Sequence, residues 1–207
     1  MPTLFDYGPS ANCLKVRILL RQLGLDHERV TVDIFAGESQ RPEYLRLNPA
    51  GRTPALLLDD GRAIAESDAI LLYLAEGTRY LPDEPVARAH VHQWMFFEQN
   101  LLEPNVGTAR FWRLTGRDAP RPEAFEQRRE AGEAALATLD RYLAGRDFLV
   151  DGSYSVADIA LYAYTHVAHE AGIDMTAYPA IGPWLARVEA TEGFVNDLDP
   201  YPANAQA

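Results

Sequence analysis

The sequence predicts a small α/β domain followed by an all-α domain, and three observations carry that reading. Up to about residue 79, short strand-like apolar runs alternate with stretches of helical spacing. The segment Tyr80-Leu-Pro-Asp-Glu-Pro85 then breaks the pattern with two prolines, and beyond it only helical spacing remains. Between two apolar runs of the first part, Asp60-Gly61 marks a tight hairpin.

Taken in order, Thr3 to Tyr7 reads as a strand, Leu14 to Leu23 as a helix closed by Gly24, and Glu28 to Asp33 as a second strand with Val30 and Val32 on one face. Thr53-Pro54 stands just before the apolar run Ala55 to Leu58. A trans X-Pro bond inside a strand would lose a ladder hydrogen bond, so a cis bond is expected at the strand entry. After Asp60-Gly61, Arg62 to Ala65 returns as the antiparallel partner, and Ser67 stands at the N-cap position of a helix that begins Asp68-Ala-Ile-Leu. These elements give a small mixed sheet of thioredoxin type. Further helices are expected over Val86 to about Leu102, Pro122 to Leu143, Ser155 to His169 and Ile181 to Glu189. The predicted organisation is a thioredoxin-like domain over 1–79, a linker over 80–86 and an all-helical bundle domain over 87–207. Ser155-Val-Ala-Asp158 reads as a capping box, a structural motif with no chemistry assigned to it.

A chain of 207 residues with 47% hydrophobic content can bury a substantial core. Its net charge of −11 and its lack of Lys/Arg clusters argue against a nucleic-acid surface, leaving small molecules or proteins as partners. A single cysteine forms no internal disulfide. No leader-like N-terminus and no run of about 18 apolar residues stands out, so a soluble cytoplasmic protein with no membrane partner is the expectation. His90 and His92 fall on different helix faces, and His166 and His169 have no sequence-arranged partners, so no metal site is expected.

A strand edge at Thr53 and a helix N-terminus at Ser67 converge on one place, which suits a short extended peptide ending in a carboxylate. Read with Leu4-Phe-Asp-Tyr-Gly-Pro-Ser-Ala-Asn-Cys13, with Asn48-Pro49, Thr53-Pro54 and Glu66-Ser-Asp-Ala-Ile70, and with Gly152-Ser-Tyr-Ser-Val-Ala-Asp158, the chain resembles the glutathione transferase family over nearly its whole length.

That resemblance implies glutathione as co-substrate and a small electrophile or a disulfide as second substrate. It also implies a homodimer and, by function, detoxification. Ser10 falls where serine-type members keep their catalytic hydroxyl, and Asn12 matches the asparagine that disulfide-active bacterial members direct at the thiol. Tyr7 is a competing donor, ranked after Ser10 and Asn12. The main-chain groups of Thr53 beside Pro54 would pair with the cysteinyl unit, Glu66 would accept from the γ-glutamyl ammonium, and Ser67 would hold the neighbouring carboxylate. Arg52 would face the glycyl carboxylate, while Ser39, Gln40 and Arg41 offer no clear pick.

The physical task is set by the thiol. With a pKa near 8.5 it is only about 3% ionised at pH 7, and lowering that pKa by about two units requires roughly 2.7 kcal/mol of differential stabilisation. Each candidate has a structural alternative: Ser10 and Asn12 as N-caps, Tyr7 as strand packing, Glu66 and Ser67 as a helix cap, Arg52 as a solvated surface residue. Cys13 stands beside, not on, the position of cysteine-type members and reads as a bystander thiol or as a nucleophile in its own right. Trp94, Phe97, Arg110, Phe111 and Trp112 are candidates for an apolar second-substrate site or for core. A non-catalytic module of the same fold, used for assembly, is the reading from another class.

Overall fold

The structure is a computed structural model, and it describes residues 1–206. The chain divides into two compact units: Met1–Glu76 with Glu192–Pro200, and Gly77–Thr191 with the residues from Tyr201 on.

In the first unit, β1 (Thr3–Asp6), α1 (Ala11–Gln22), β2 (Glu28–Thr31), α2 (Pro42–Leu45), β3 (Ala55–Leu57), β4 (Ala63–Ala65) and α3 (Ser67–Ala75) follow in order. The sheet runs β2-β1-β3-β4, with β1 parallel to β2 and antiparallel to β3, and with β3 antiparallel to β4. Leu4 stands opposite Leu56, and Leu56 opposite Ile64. These place Leu4 and Leu56 in one cluster with Val16 and Leu20 of α1 and Ile70 of α3. Each such burial contributes about 1.5–3 kcal/mol, so α1 and α3 are fixed on this face by side chains spread over the whole unit. On the other face Val32, Tyr44 and Ala55 pack with Phe5.

Boundaries differ from the expected ones for local reasons. Helix α1 begins at Ala11 rather than Leu14, because Ser10 caps it: Ser10 has extended backbone and its Oγ accepts from Cys13 N at 3.3 Å. Ser67 is not the N-cap of α3 but its first helical residue. Glu66 takes the flanking position at φ 67°, ψ 118°, and no side chain caps this helix end. Positive φ is costly for a residue with a Cβ, on the order of 1–3 kcal/mol, and such strain collects at binding sites. The Thr53-Pro54 peptide is cis.

The second unit is built from α4 (Pro85–Phe97), a wider π-type turn segment over Glu98–Gly107, α5 (Thr108–Leu114), α6 (Pro122–Leu143), α7 (Val156–Thr165) and α8 (Ile181–Glu189). The helix expected to end near Leu102 instead continues to Leu114 through Pro104. A proline cannot donate to the preceding turn and crowds it, and the wider turn accommodates both effects. Tyr80 and Leu81 are buried, and Tyr80 O accepts from Val156 N at 2.9 Å. Among the described residues no helix is long and apolar enough to cross a membrane.

At the start of α7, Ser155 and Asp158 form the capping box. Asp158 is wholly buried and accepts from Leu149 N (3.1 Å), Trp184 Nε1 (3.0 Å), Ser155 N (3.0 Å) and Ser155 Oγ (3.2 Å).

The segment 192–200 reaches back to the first unit. Arg17 of α1 is buried and donates to Asp6 Oδ1 (2.8 Å), to Asp197 Oδ1 (2.6 Å) and to the Gly8 carbonyl (3.3 Å). Arg29 also pairs with Asp6, and Asp199 N donates to the Gly8 carbonyl at 3.3 Å. The turn that precedes α1 is therefore held by residues from the far end of the sequence.

Candidate functional site

Three pieces of the first unit meet at the start of α1. The turn Tyr7–Ser10 enters the helix with Ser10 N donating to Tyr7 O at 2.9 Å. The loop before β3 is held from behind: Tyr44 Oη and Asn48 Nδ2 both donate to the Arg52 carbonyl, at 2.5 and 2.7 Å. Gln40 Nε2 donates to the Gly51 carbonyl at 3.0 Å, so of the segment Ser39 to Arg41 it is Gln40 that supports this loop. The start of α3 closes the group, with Ser67 Oγ donating to Asn12 Oδ1 at 3.3 Å.

Cys13 lies inside this arrangement and is wholly buried. Tyr7 N donates to its Sγ at 3.4 Å. Burial, with the nearby Asp6 carboxylate, pushes the thiol up to about 12 against the opposing hydrogen bonds from Ser10, Thr53 and the Tyr7 backbone. A thiol raised in this way is mostly un-ionised near neutral pH, which favours the bystander reading of Cys13 over the nucleophile reading. The hydrogen bonds from Ser10 and Thr53 nevertheless locate both hydroxyls around one point, beside the N-terminus of α1.

Ser10 acts as an N-cap, its oxygen accepting from Cys13 N, and its single O–H hydrogen is the one that bonds the Cys13 sulfur. Asn12 is half-buried in the first turn of α1. Tyr7, just past the end of β1, is 5% exposed and makes an edge contact with Phe35 at 6.2 Å. Thr53 is half-buried and Pro54 buried at the β3 entry. Glu66 and Arg52 are exposed, which suits groups that would meet the charged ends of a peptide. The structure thus brings Ser10, Asn12, Thr53 and Ser67 together, with Glu66 and Arg52 adjacent in the chain to Ser67 and Thr53.

These groups fit a γ-glutamyl tripeptide by the chemistry of their donors. The uncapped N-terminus of α3 and the Ser67 hydroxyl suit a carboxylate, Glu66 suits an ammonium, Arg52 suits a second carboxylate, and the main chain at Thr53 suits an extended backbone.

Sequence reasoning passed over Lys15. Helix α1 is buried from Cys13 to Leu20, and Lys15 within that stretch is 0% exposed, with its Nζ 3.4 Å from Ser67 Oγ and 3.1 Å from Asp68 Oδ1. The signal was the placement of two cations, Lys15 and Arg17, within the apolar run Leu14–Leu20 of the helix, since buried charges need partners.

The aromatic candidates for a second-substrate site are engaged within the second unit. Trp94 packs against Phe97 and Tyr142, Phe111 against Tyr201, and Arg110 pairs with Glu170. Among the described residues no cluster of three or more His, Cys, Asp or Glu is placed to hold a metal ion.

Comparison with known proteins adds the family. The N-terminal domain of glutathione S-transferases matches residues 9–76 and the C-terminal domain of the same family matches residues 102–192. The chain is 32% identical over 193 residues to the disulfide-bond oxidoreductase YfcG of Escherichia coli, covering 89% of this chain and 88% of that protein. A solved glutathione S-transferase from Pseudomonas fluorescens Pf-5 superposes with a TM-score of 0.93 at 42% identity, covering 96% of this chain and 99% of the other. A glutathione transferase family member from the same organism, solved with two glutathione molecules bound, has a TM-score of 0.84 at 26% identity and covers 95% and 92% of the two chains.

Proposed function

Because the chain belongs to the glutathione S-transferase family, we propose that it binds glutathione in its first unit and presents the cysteinyl sulfur as a thiolate to a small electrophile. The observation that carries this reading is the meeting of Ser10, Asn12, Thr53 and Ser67 at the start of α1. Thr53 pairs with the cysteinyl backbone, Glu66 accepts from the γ-glutamyl ammonium, Ser67 and the α3 N-terminus hold its carboxylate, and Arg52 faces the glycyl end. Ser10 and Asn12 donate to the sulfur. Two hydrogen bonds to a charged acceptor, each worth about 1.5–3 kcal/mol, are enough to cover the roughly 2.7 kcal/mol that a two-unit drop in thiol pKa requires. The thiolate then forms a carbon–sulfur bond while the leaving group departs with its electron pair. The family resemblance further implies a cytoplasmic homodimer serving detoxification.

A second reading, attack on a sulfur of a glutathione-containing disulfide, is favoured by Asn12 and by the relative from Escherichia coli. In that case glutathione supplies the attacking sulfur, since Cys13 is a buried, un-ionised thiol.

The test is retention on immobilised glutathione, followed by pH–rate profiles with 1-chloro-2,4-dinitrobenzene and with the mixed disulfide of glutathione and 2-mercaptoethanol. Ser10→Ala and Asn12→Ala are expected to move the profile upward by on the order of one to two pH units with little loss of glutathione affinity. Absence of retention, or turnover abolished only by Cys13→Ala, would sink the assignment.

A further inference from the structure

We propose that the Asp199 carboxylate is a charge filter on the second substrate: it disfavours anionic electrophiles at the glutathione sulfur relative to neutral ones. It rests on the reading of the turn before α1 as the place where the glutathione thiolate attacks.

Placement comes first. Residues 192–200 belong to the first unit, and Asp199 lies against the turn that leads to Ser10. Its N–H donates to the Gly8 carbonyl at 3.3 Å, and its Cγ stands 2.9 Å from where a Cβ on Gly8 would be. Only a residue without a side chain leaves room for the carboxylate there. Gly8 and Ser10 are two positions apart in a turn closed by the bond from Ser10 N to Tyr7 O. Consecutive Cα atoms are about 3.8 Å apart, so the carboxylate lies within roughly 10 Å of Ser10.

The charge balance comes second. The guanidiniums of Arg17 and Arg29 face the carboxylates of Asp6 and Asp197, and within that group the charges cancel. Asp199 is exposed, and among the described residues none pairs with its carboxylate. It is the excess charge beside the turn.

A reacting electrophile brings its carbon to about 3–3.5 Å from the sulfur, so every second substrate enters the field of Asp199. For a unit negative charge about 10 Å away, Coulomb's law with an effective dielectric constant of about 20–40 gives a factor of about four to sixteen against the anion. A neutral substrate escapes this factor.

The experiment compares 4-chloro-3,5-dinitrobenzoate with its neutral amide, 4-chloro-3,5-dinitrobenzamide. In both, the thiolate forms the carbon–sulfur bond and chloride leaves with the electron pair, so they differ in charge away from the reacting carbon. Each kcat/KM is divided by the uncatalysed rate constant with glutathione at the same salt concentration. Any effect of Asp199 on the thiolate itself is common to both substrates and cancels in the ratio. Asp199→Asn keeps the shape and the backbone bond to Gly8, and it should raise the anion-to-amide ratio about fivefold at low salt. Asp199→Lys should raise it further. The gap between wild type and Asp199→Asn should close as ionic strength rises from about 0.01 to about 0.5 M. A ratio unchanged in Asp199→Asn, or changed by the same factor at both salt concentrations, overturns the proposal and leaves the function intact. Wild type that turns over neither compound removes the conjugation reading, and this proposal with it.

Discussion

Asp158 offers the sharpest test of the reasoning about stability. Replacing it with Ala would strand three buried donors, the Leu149 N–H, the Ser155 N–H and the Trp184 indole N–H, which now share its two oxygens. Each stranded donor costs about 1–3 kcal/mol, and partial relaxation brings the expected loss to about 4 kcal/mol, a large part of the 5–15 kcal/mol typical of a folded protein. In a chain of this size that corresponds to a fall in Tm of about 10 °C. Asp158→Asn keeps the shape but turns one edge into a donor facing the Ser155 N–H, so about half that loss is expected. A pH dependence sharpens the prediction. Burial raises the Asp158 carboxyl from the ordinary aspartate range to about 6, against the pull of its donors. The native state then holds its proton at a pH where the unfolded chain has released it. Stability from this group accordingly falls as pH rises from about 4 to 6. The deficit of Asp158→Asn relative to wild type should be larger at pH 4.5 than at pH 7, by on the order of 2 kcal/mol. Thermal unfolding followed by near-ultraviolet circular dichroism at both pH values checks this. An Asp158→Asn protein as stable as wild type at both, or a deficit that grows with pH, would refute the argument.

Two further outcomes follow from the first unit. Cys13, buried and with its thiol pushed up to about 12, should react with iodoacetamide at pH 8 at least tenfold more slowly in the native protein than after unfolding, and rapid native labelling would contradict its placement. Arg17→Met should leave Asp6, 1% exposed, short of a partner, costing about 3–5 kcal/mol and opening the segment 192–200 to limited proteolysis; an unchanged Tm and cleavage pattern would count against the tether.

Features governed by a few neighbouring residues were legible in the sequence. The hairpin at Asp60-Gly61 and the capping box at Ser155 and Asp158 are set by local backbone chemistry, and α6 runs over Pro122–Leu143 as its apolar spacing indicates. The convergence of the β3 entry with the α3 start could be argued because both flank one short hairpin. What stayed hidden depended on partners distant in sequence or on costly conformations. Glu66 sits at φ 67°, a state that residue preferences discourage, and this moved Ser67 from the cap into the helix, where its hydroxyl serves Asn12 and Lys15. Lys15 and Arg17 look like surface cations until the helix around them proves buried. Pro104 reads as a stop unless the wider helical turn around it is known.

The tether of Asp197 to Arg17 spans 180 positions, and this bears on how the chain is made. At about 5–20 residues per second, a ribosome needs roughly 10 to 35 s to go from the first of these residues to the second. Throughout that interval the nascent α1 carries a guanidinium whose aspartate has not been synthesised, and the Gly8 turn lacks the contact that Asp199 makes. The turn in front of α1 therefore waits for residues that are made about 180 positions later. A stop codon just before residue 192 would spare every residue of the candidate site and still leave the turn in front of α1 without its clamp.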